Sequence, residues 1–306
     1  MEIFWDQLIF WLNLLLYLAL PAGVCVFLVW RARRYPTTSD IAWAACAPNT
    51  STAEALDPQA RELYRAYLRR HNRFQVVGAS AGMAFALIAQ LRAFGQIDFG
   101  AGGPPIVVDP IFACLLGAVT GGMMAQAYRL RPPGRSPVRS ARLEPRPQRP
   151  ALAARRWSWA LVALSLAGAT CRTALTGNWN AVLWAAAGSG ALVLAELAQD
   201  AIWSRRRLLL NPSVMAADTR LRTLSASSLA WTQLAMAILT TAWSLGVLPM
   251  RSWGLPISRF GLNYPASDWA WLLAAAVVAL FTLGAVHRGS LHAPKAWRRT
   301  RLAVRT

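Results

Sequence analysis

Acidic residues are scarce in this chain. Its 306 residues carry 13 Asp+Glu against 32 Lys+Arg, a net charge of +19, and charged residues make up only 15% of the composition. Soluble domains hold about 25% charged residues, so an ordinary water-soluble fold is excluded. The 56% hydrophobic content and mean hydropathy of +0.33 exclude a disordered chain as well. The four cysteines, Cys25, Cys46, Cys114 and Cys171, are too far apart for a metal or redox motif. Cys25, Cys114 and Cys171 sit in or beside apolar runs and read as small buried hydrophobes. The three histidines, His71, His287 and His292, are scattered and make no zinc pattern. Gly100 to Pro105 is glycine-rich but lacks the lysine and the strand of a phosphate loop, and no Gly-x-Ser-x-Gly elbow occurs. With no such constellation, neither an enzyme, a metal site nor a cofactor is expected. The N-terminus lacks the basic start of a secretory signal, since Glu2 and Asp6 stand there. Ala22-Gly23-Val24-Cys25 resembles a lipoprotein cleavage site only until Val24, which is too large.

What the chain has in abundance is apolar length. A spanning helix needs about 20 mostly apolar residues. Seven stretches answer to this: 8–30, 75–92, 106–127, 157–175, 180–202, 228–248 and 268–286. Tryptophans gather at their ends, at Trp157, Trp159, Trp179, Trp203, Trp269 and Trp271, as interfacial anchors do. The basic residues fix the direction. Segments 31–74, 128–156, 203–227 and 287–306 hold 28 Arg+Lys, whereas the alternate segments hold four, Arg92, Arg172, Arg251 and Arg259. The positive-inside rule then places the N-terminus outside and the C-terminus inside. A six-span count that drops the fifth span puts 11 of these basic residues on the wrong side. The expected fold is all-α, a polytopic bundle of seven transmembrane helices in the cell membrane. The positive charge serves topology and contact with anionic lipids of the cytoplasmic leaflet. It is divided among loops with no recognition module, so nucleic acid is not an expected partner.

The cytoplasmic segments differ in character. Residues 35–55 are small, polar and Pro-containing and read as irregular; the sequon at Asn49 lies on the cytoplasmic side. Asp57-Pro58 reads as an N-cap followed by proline at the first helical position. From there Arg61, Arg65, Arg69 and Arg73 recur every four residues as one basic stripe, and Leu63, Tyr64, Tyr67 and Leu68 supply apolar contacts. This predicts a basic interfacial helix over 58–73 before the second span, facing lipid phosphates or an acidic partner protein. Asn211-Pro212 repeats the same start before the sixth span, at an offset of 154 residues, which is compatible with an old duplication. Segment 128–156 is rich in Pro and Arg and reads as an extended loop.

Ionisable groups within spans are functional candidates by default. Glu196 lies roughly 10 Å inward of Trp203 at 1.5 Å per residue, with Asp200 nearer the headgroups. Glu196 is expected to face the bundle and meet a polar side chain of another span, first of all Gln233. Arg92, Asp109 and Arg172 fall near the outer interface. Gly78 and Gly82, and Gly117 and Gly121, are spaced four apart, which suits close packing of the second and third spans.

The segment Leu210-Asn-Pro-Ser-Val-Met-Ala-Ala-Asp-Thr-Arg-Leu-Arg222 resembles a motif of uncharacterised actinobacterial multi-pass integral membrane proteins. The 31 arginines to a single lysine fit the same high-GC origin. That resemblance implies a membrane location and carries no activity. The function expected is a non-enzymatic membrane component that binds a partner or transport complex through basic loops. The alternative is a solute carrier or permease subunit using Glu196 and the outer charges.

Overall fold

The computed structural model describes residues 35–45, 58–94, 110–127, 151–177, 179–204, 212–245 and 266–291, together with Gly23, Val26, Val29, Trp30 and Arg33. Every element among them is an α-helix: α1 (Thr38–Ala45), α2 (Pro58–Phe94), α3 (Pro110–Ala127), α4 (Leu152–Thr176), α5 (Asn180–Ser204), α6 (Pro212–Ser244) and α7 (Ala266–Gly289). Prolines open α2, α3 and α6, where the missing N–H costs nothing. The caps expected at Asp57 and Asn211 lie outside the described residues. Gly177 closes α4 in the left-handed conformation, φ 68°, and its N–H donates to the Thr173 carbonyl at 2.8 Å. This sharp stop lets α5 return along α4 at once.

Two of these helices, Leu152–Leu175 and Ala181–Trp203, are long and apolar enough to cross a membrane. Ile111–Ala125 and Ala276–Gly289 are apolar but shorter. The expectation of seven such spans is therefore not met on length and composition among the described residues. The reason is polar dilution: α2 begins with an arginine-rich half, and α6 carries Ser, Thr and Gln along its length. The first expected span lies outside the described residues, apart from Gly23, Val26, Val29 and Trp30, which are helical and exposed.

Helix α6 is the axis of the fold and touches each of the other six helices. From Leu221 to Ser244 only Thr223, Ser227, Trp231, Leu234 and Ile238 escape full burial, a single stripe at three- and four-residue steps. Many of its buried positions are small or polar, among them Ser225, Ala226, Ser228, Ala230, Thr232, Gln233, Ala235, Ala237, Thr240, Thr241 and Ser244, alongside the larger Leu221, Leu224, Leu229, Met236, Leu239 and Trp243. Small residues allow neighbouring backbones to approach closely, and hydroxyls link helices. Thr241 donates to the Leu161 carbonyl of α4 at 2.9 Å, and the Ser165 and Ser244 hydroxyls meet at 2.7 Å. The large apolar side chains lie mostly outside. Leu164, Leu175, Leu183, Leu197, Leu273, Leu280, Phe281 and Leu283 are all exposed on α4, α5 and α7. Cys114 is half-buried and Cys171 is exposed on the outer face of α4, which corrects the reading of both as buried; neither forms a disulfide among the described residues.

Helices α2 and α3 form a hairpin whose backbones touch. A Cβ on Gly78 would collide with the Gly117 carbonyl, one on Gly82 with Ala113, one on Gly117 with Gly78, and one on Gly121 with Phe74. All four glycines singled out in the sequence lie in this seam.

The basic half of α2 runs straight into its apolar half. Residues 58–73 are the first turns of one unbroken 37-residue helix, roughly 55 Å long. No proline or insertion bends it, and its inner face is held. Tyr64, Tyr67 and Leu68 are buried against Ala217, Leu221 and Leu224 of α6. Residues 38–45, read as irregular, form α1 instead. Thr37 caps it reciprocally: the Asp40 N–H donates to Thr37 Oγ1 at 3.3 Å and the Thr37 N–H to Asp40 Oδ2 at 3.1 Å. Ile41 and Ala44 join the same cluster, and the Tyr35 hydroxyl donates to the Leu291 carbonyl at 2.6 Å. The result is a knob beyond the end of the bundle, with its own apolar core.

The glycine seam makes a testable distinction. Gly78→Ala and Gly117→Ala should each lower the thermal midpoint in detergent by the equivalent of at least about 1–3 kcal/mol, the range for overpacking. Gly190 and Gly284 have open space where a Cβ would go. Gly190→Ala and Gly284→Ala should leave the midpoint unchanged or raise it, by up to about 1 kcal/mol. Equal losses at all four positions would contradict the backbone contact.

Candidate functional site

The strongest constellation of charged and polar side chains lies where α4, α5 and α6 meet. Glu196 points into the bundle from α5. Gln233, fully buried on α6, donates to Glu196 Oε1 at 3.0 Å, which is the contact expected from the sequence. Two further residues donate from α4. Arg155 donates through Nε to Oε1 at 3.0 Å and through Nη2 to Oε2, and Trp159 Nε1 donates to Oε1 at 3.2 Å. Gln199, one turn along α5, donates in turn to Gln233 Oε1 at 2.9 Å. The ion-paired side chains are 10% and 15% exposed, so the fork-to-fork pair is largely removed from solvent.

A carboxylate offers about four acceptor positions. Here Oε1 receives three donors and Oε2 one, from two neighbouring helices. Most of the acceptor capacity is engaged, and the charge is neutralised by a partner that cannot deprotonate. An exchange site needs an acceptor that can be vacated, whereas this arrangement fixes the register of three helices. Gln233 contributes to that register from both ends of its amide, so its O and N are assigned by the network itself.

Arg155 is not among the candidates of the sequence because 128–156 reads as a loop. The structure starts α4 at Leu152, which carries Arg155 and Arg156 onto the helix. A signal was available. With a tight turn near residue 178, Glu196 stands 18 residues past it, level with about residue 160 on α4. Arg155 is about 7 Å further along the axis, within reach of its own long side chain.

The remaining candidates are dispersed. Asp200 is half-buried one turn beyond Glu196, and Arg172 is half-buried on α4. Arg92 belongs to α2, but its side chain, like Asp109, lies outside the described residues. Arg61, Arg69 and Arg73 are exposed along α2, while Arg65 pairs with Glu62 at 3.3 Å. Arg222 spans two helices: its Nε is 2.8 Å from Asp218 Oδ2 and its Nη1 donates to the Ile202 carbonyl near the end of α5 at 3.4 Å. Among the described residues no group of His, Cys, Asp and Glu could hold a metal ion.

One buried titratable group stands apart from this network. His71 is stacked on Tyr67, ring centroids 5.8 Å apart, and neither of its ring nitrogens has a hydrogen-bond partner among the described residues. It lies against Gly122 of α3, as do the side chains of Gln75 and Leu229. Burial disfavours the imidazolium and lowers its pKa to about 4.

Stability measurements test both geometries. Arg155→Ala should destabilise the protein by about 3 kcal/mol, because it strands a buried carboxylate. Glu196→Gln should cost less, since an amide oxygen still accepts from Gln233 and Trp159 while Arg155 can extend toward solvent. Thermal unfolding in detergent checks this, and a larger loss for Glu196→Gln would reverse the assignment. For His71 the unfolded state binds its proton below about pH 6.5, while the folded state holds it neutral down to about 4. The unfolded state then carries more protons, so stability falls as pH drops through that window, by up to about 1.4 kcal/mol per unit. His71→Phe should flatten that part of the profile; an unchanged slope would show that other groups cause it.

Compared with protein families, with curated proteins and with solved structures, the chain matches none, so its function must be argued from its own residues.

Proposed function

We propose that the chain is a multi-pass protein of the cell membrane, N-terminus outside and C-terminus inside. On this reading the six long helices and segment 8–30 cross the bilayer, and the protein acts as a non-enzymatic component that docks a partner at its basic cytoplasmic end. The observation that carries this reading is the large apolar outer surface combined with polar side chains in the core. Leu, Phe and Val crowd the outward faces of α4, α5 and α7, while Ser, Thr and Gln share the interior around α6 with Leu192, Leu229, Met236 and other apolar side chains. Water disfavours so much exposed apolar surface. Lipid tolerates large apolar side chains outside and favours small and polar ones between helices.

The depth of the bilayer is marked on several faces. Along α2 the outward side chains change from Arg69 and Arg73 to Val77, Phe85 and Ile88. Along α7 they change from Leu280, Phe281 and Leu283 to His287 and Arg288, with Arg288 placed 5.1 Å over the Trp231 ring. Along α4 Arg156 precedes exposed Trp157 and Trp159. In an alternating bundle all three changes fall at the same end, which is the cytoplasmic end of the positive-inside assignment. The ion-paired, multiply hydrogen-bonded Glu196 supports a scaffold over a carrier.

Fusions test the orientation. Alkaline phosphatase attached after residue 306 should be inactive, and attached within 177–179 or 250–262 it should be active. Green fluorescent protein at the C-terminus should fluoresce. An active C-terminal phosphatase would overturn the orientation and, with it, the cytoplasmic docking end.

A further inference from the structure

Resting on that membrane orientation, we propose that the outward face of α2, carrying Arg61, Arg69 and Arg73, is a docking surface for an acidic helical segment of a cytoplasmic protein rather than for lipid headgroups. The argument is the direction of the helix. Because α2 is unbroken and its inner face is buried against α6, its basic half continues the line of the spanning half. It rises out of the bilayer instead of lying on it. Arg73 sits one turn from Val77, where the outward face turns apolar. Arg61 is 12 residues beyond Arg73, about 18 Å along the axis. The field of the anionic leaflet decays over a Debye length of about 8 Å. Lipid phosphates therefore reach Arg73, while Arg69 and Arg61 stand progressively clear of them.

The three side chains are exposed and make no ion pair among the described residues. Glu62 is the one acid in α2, and it is committed to Arg65. Among the described residues the stripe thus presents exposed guanidinium forks with no carboxylate paired to them. Their steps of four or eight residues match a second helix that carries carboxylates at i and i+4, and guanidinium suits a carboxylate in bidentate geometry. The burial of Tyr64, Tyr67 and Leu68 on the opposite face holds the stripe rigid, which limits the entropy lost on docking.

The test uses full-length protein in nanodiscs of neutral phosphatidylcholine and two fluorescent 20-residue helical peptides of equal charge. One carries glutamate at every fourth position; the other has the same glutamates scattered around the helix. The patterned peptide should bind about tenfold more tightly, and Arg61→Gln with Arg69→Gln and Arg73→Gln should remove that advantage, three exposed pairs each supplying a few-fold. Thermal midpoints of the variants establish that they are folded. In nanodiscs containing anionic lipid, a fluorophore at position 73 should be quenched by headgroup quenchers and one at position 61 should not. Equal binding of the two peptides, or equal quenching at 61 and 73, overturns the docking surface, the latter in favour of lipid. Neither result touches the orientation, which the phosphatase fusions decide separately.

Discussion

The fold depends on the requirement that α6 be surrounded. A helix so rich in Ser, Thr and Gln cannot face hydrocarbon, because each unsatisfied polar group there costs several kcal/mol. Its hydroxyls are satisfied in two ways. Thr232, Thr240, Thr241 and Ser244 donate back to the carbonyls four residues earlier, while Thr241 and Ser244 also reach α4. The same small side chains that need partners are the ones that let partners come close. Gly188 of α5 shows the tightness that results, since a Cβ there would strike the Thr240 side chain. Packing and polar satisfaction are one condition here, and the arrangement of α4, α5 and α7 around α6 follows from it.

The ion pair of Arg155 and Glu196 adds register to that packing. Ridges of Ala, Ser and Leu can slide past one another by a turn at small cost. A carboxylate with four donors from α4 and α6 cannot. On the membrane reading, its position level with exposed Trp159 places the charge near the inner headgroups, where water lessens the cost of insertion.

Much of the helical layout was legible because it rests on local signals. The starts at Pro58 and Pro212, the limits of α5 and the glycine seam of α2 and α3 each follow from a few adjacent residues. What could not be read was long-range. Arg155 looks like loop because its neighbours are Pro and Arg, and its role arises only when the α4–α5 turn brings it to Glu196. Residues 58–73 read as an amphipathic basic helix in isolation. Their apolar face packs on the first turns of α6, about 155 residues later in the chain, which no local signal shows. Counting spans by apolarity depends on packing for the same reason: α6 is too polar to pass as a span on composition, and its polar side chains are buried among the other helices.

The length of α2 and α6 ties these points to function. Helices of roughly 55 and 50 Å exceed a hydrocarbon core of about 30 Å by close to 20 Å. Tilting could absorb such an excess only if both helices tilted steeply together. The structure instead covers the surplus length with Tyr35, α1 and Leu291, giving it an apolar core of its own. Arg73, Arg156 and Arg288 stand where the apolar outward faces end, whereas Arg61 and Arg69, which also count toward topology, lie further out on a braced projection. On the membrane reading, their charge is directed at the cytoplasm, and the knob is the part of the molecule built to present it.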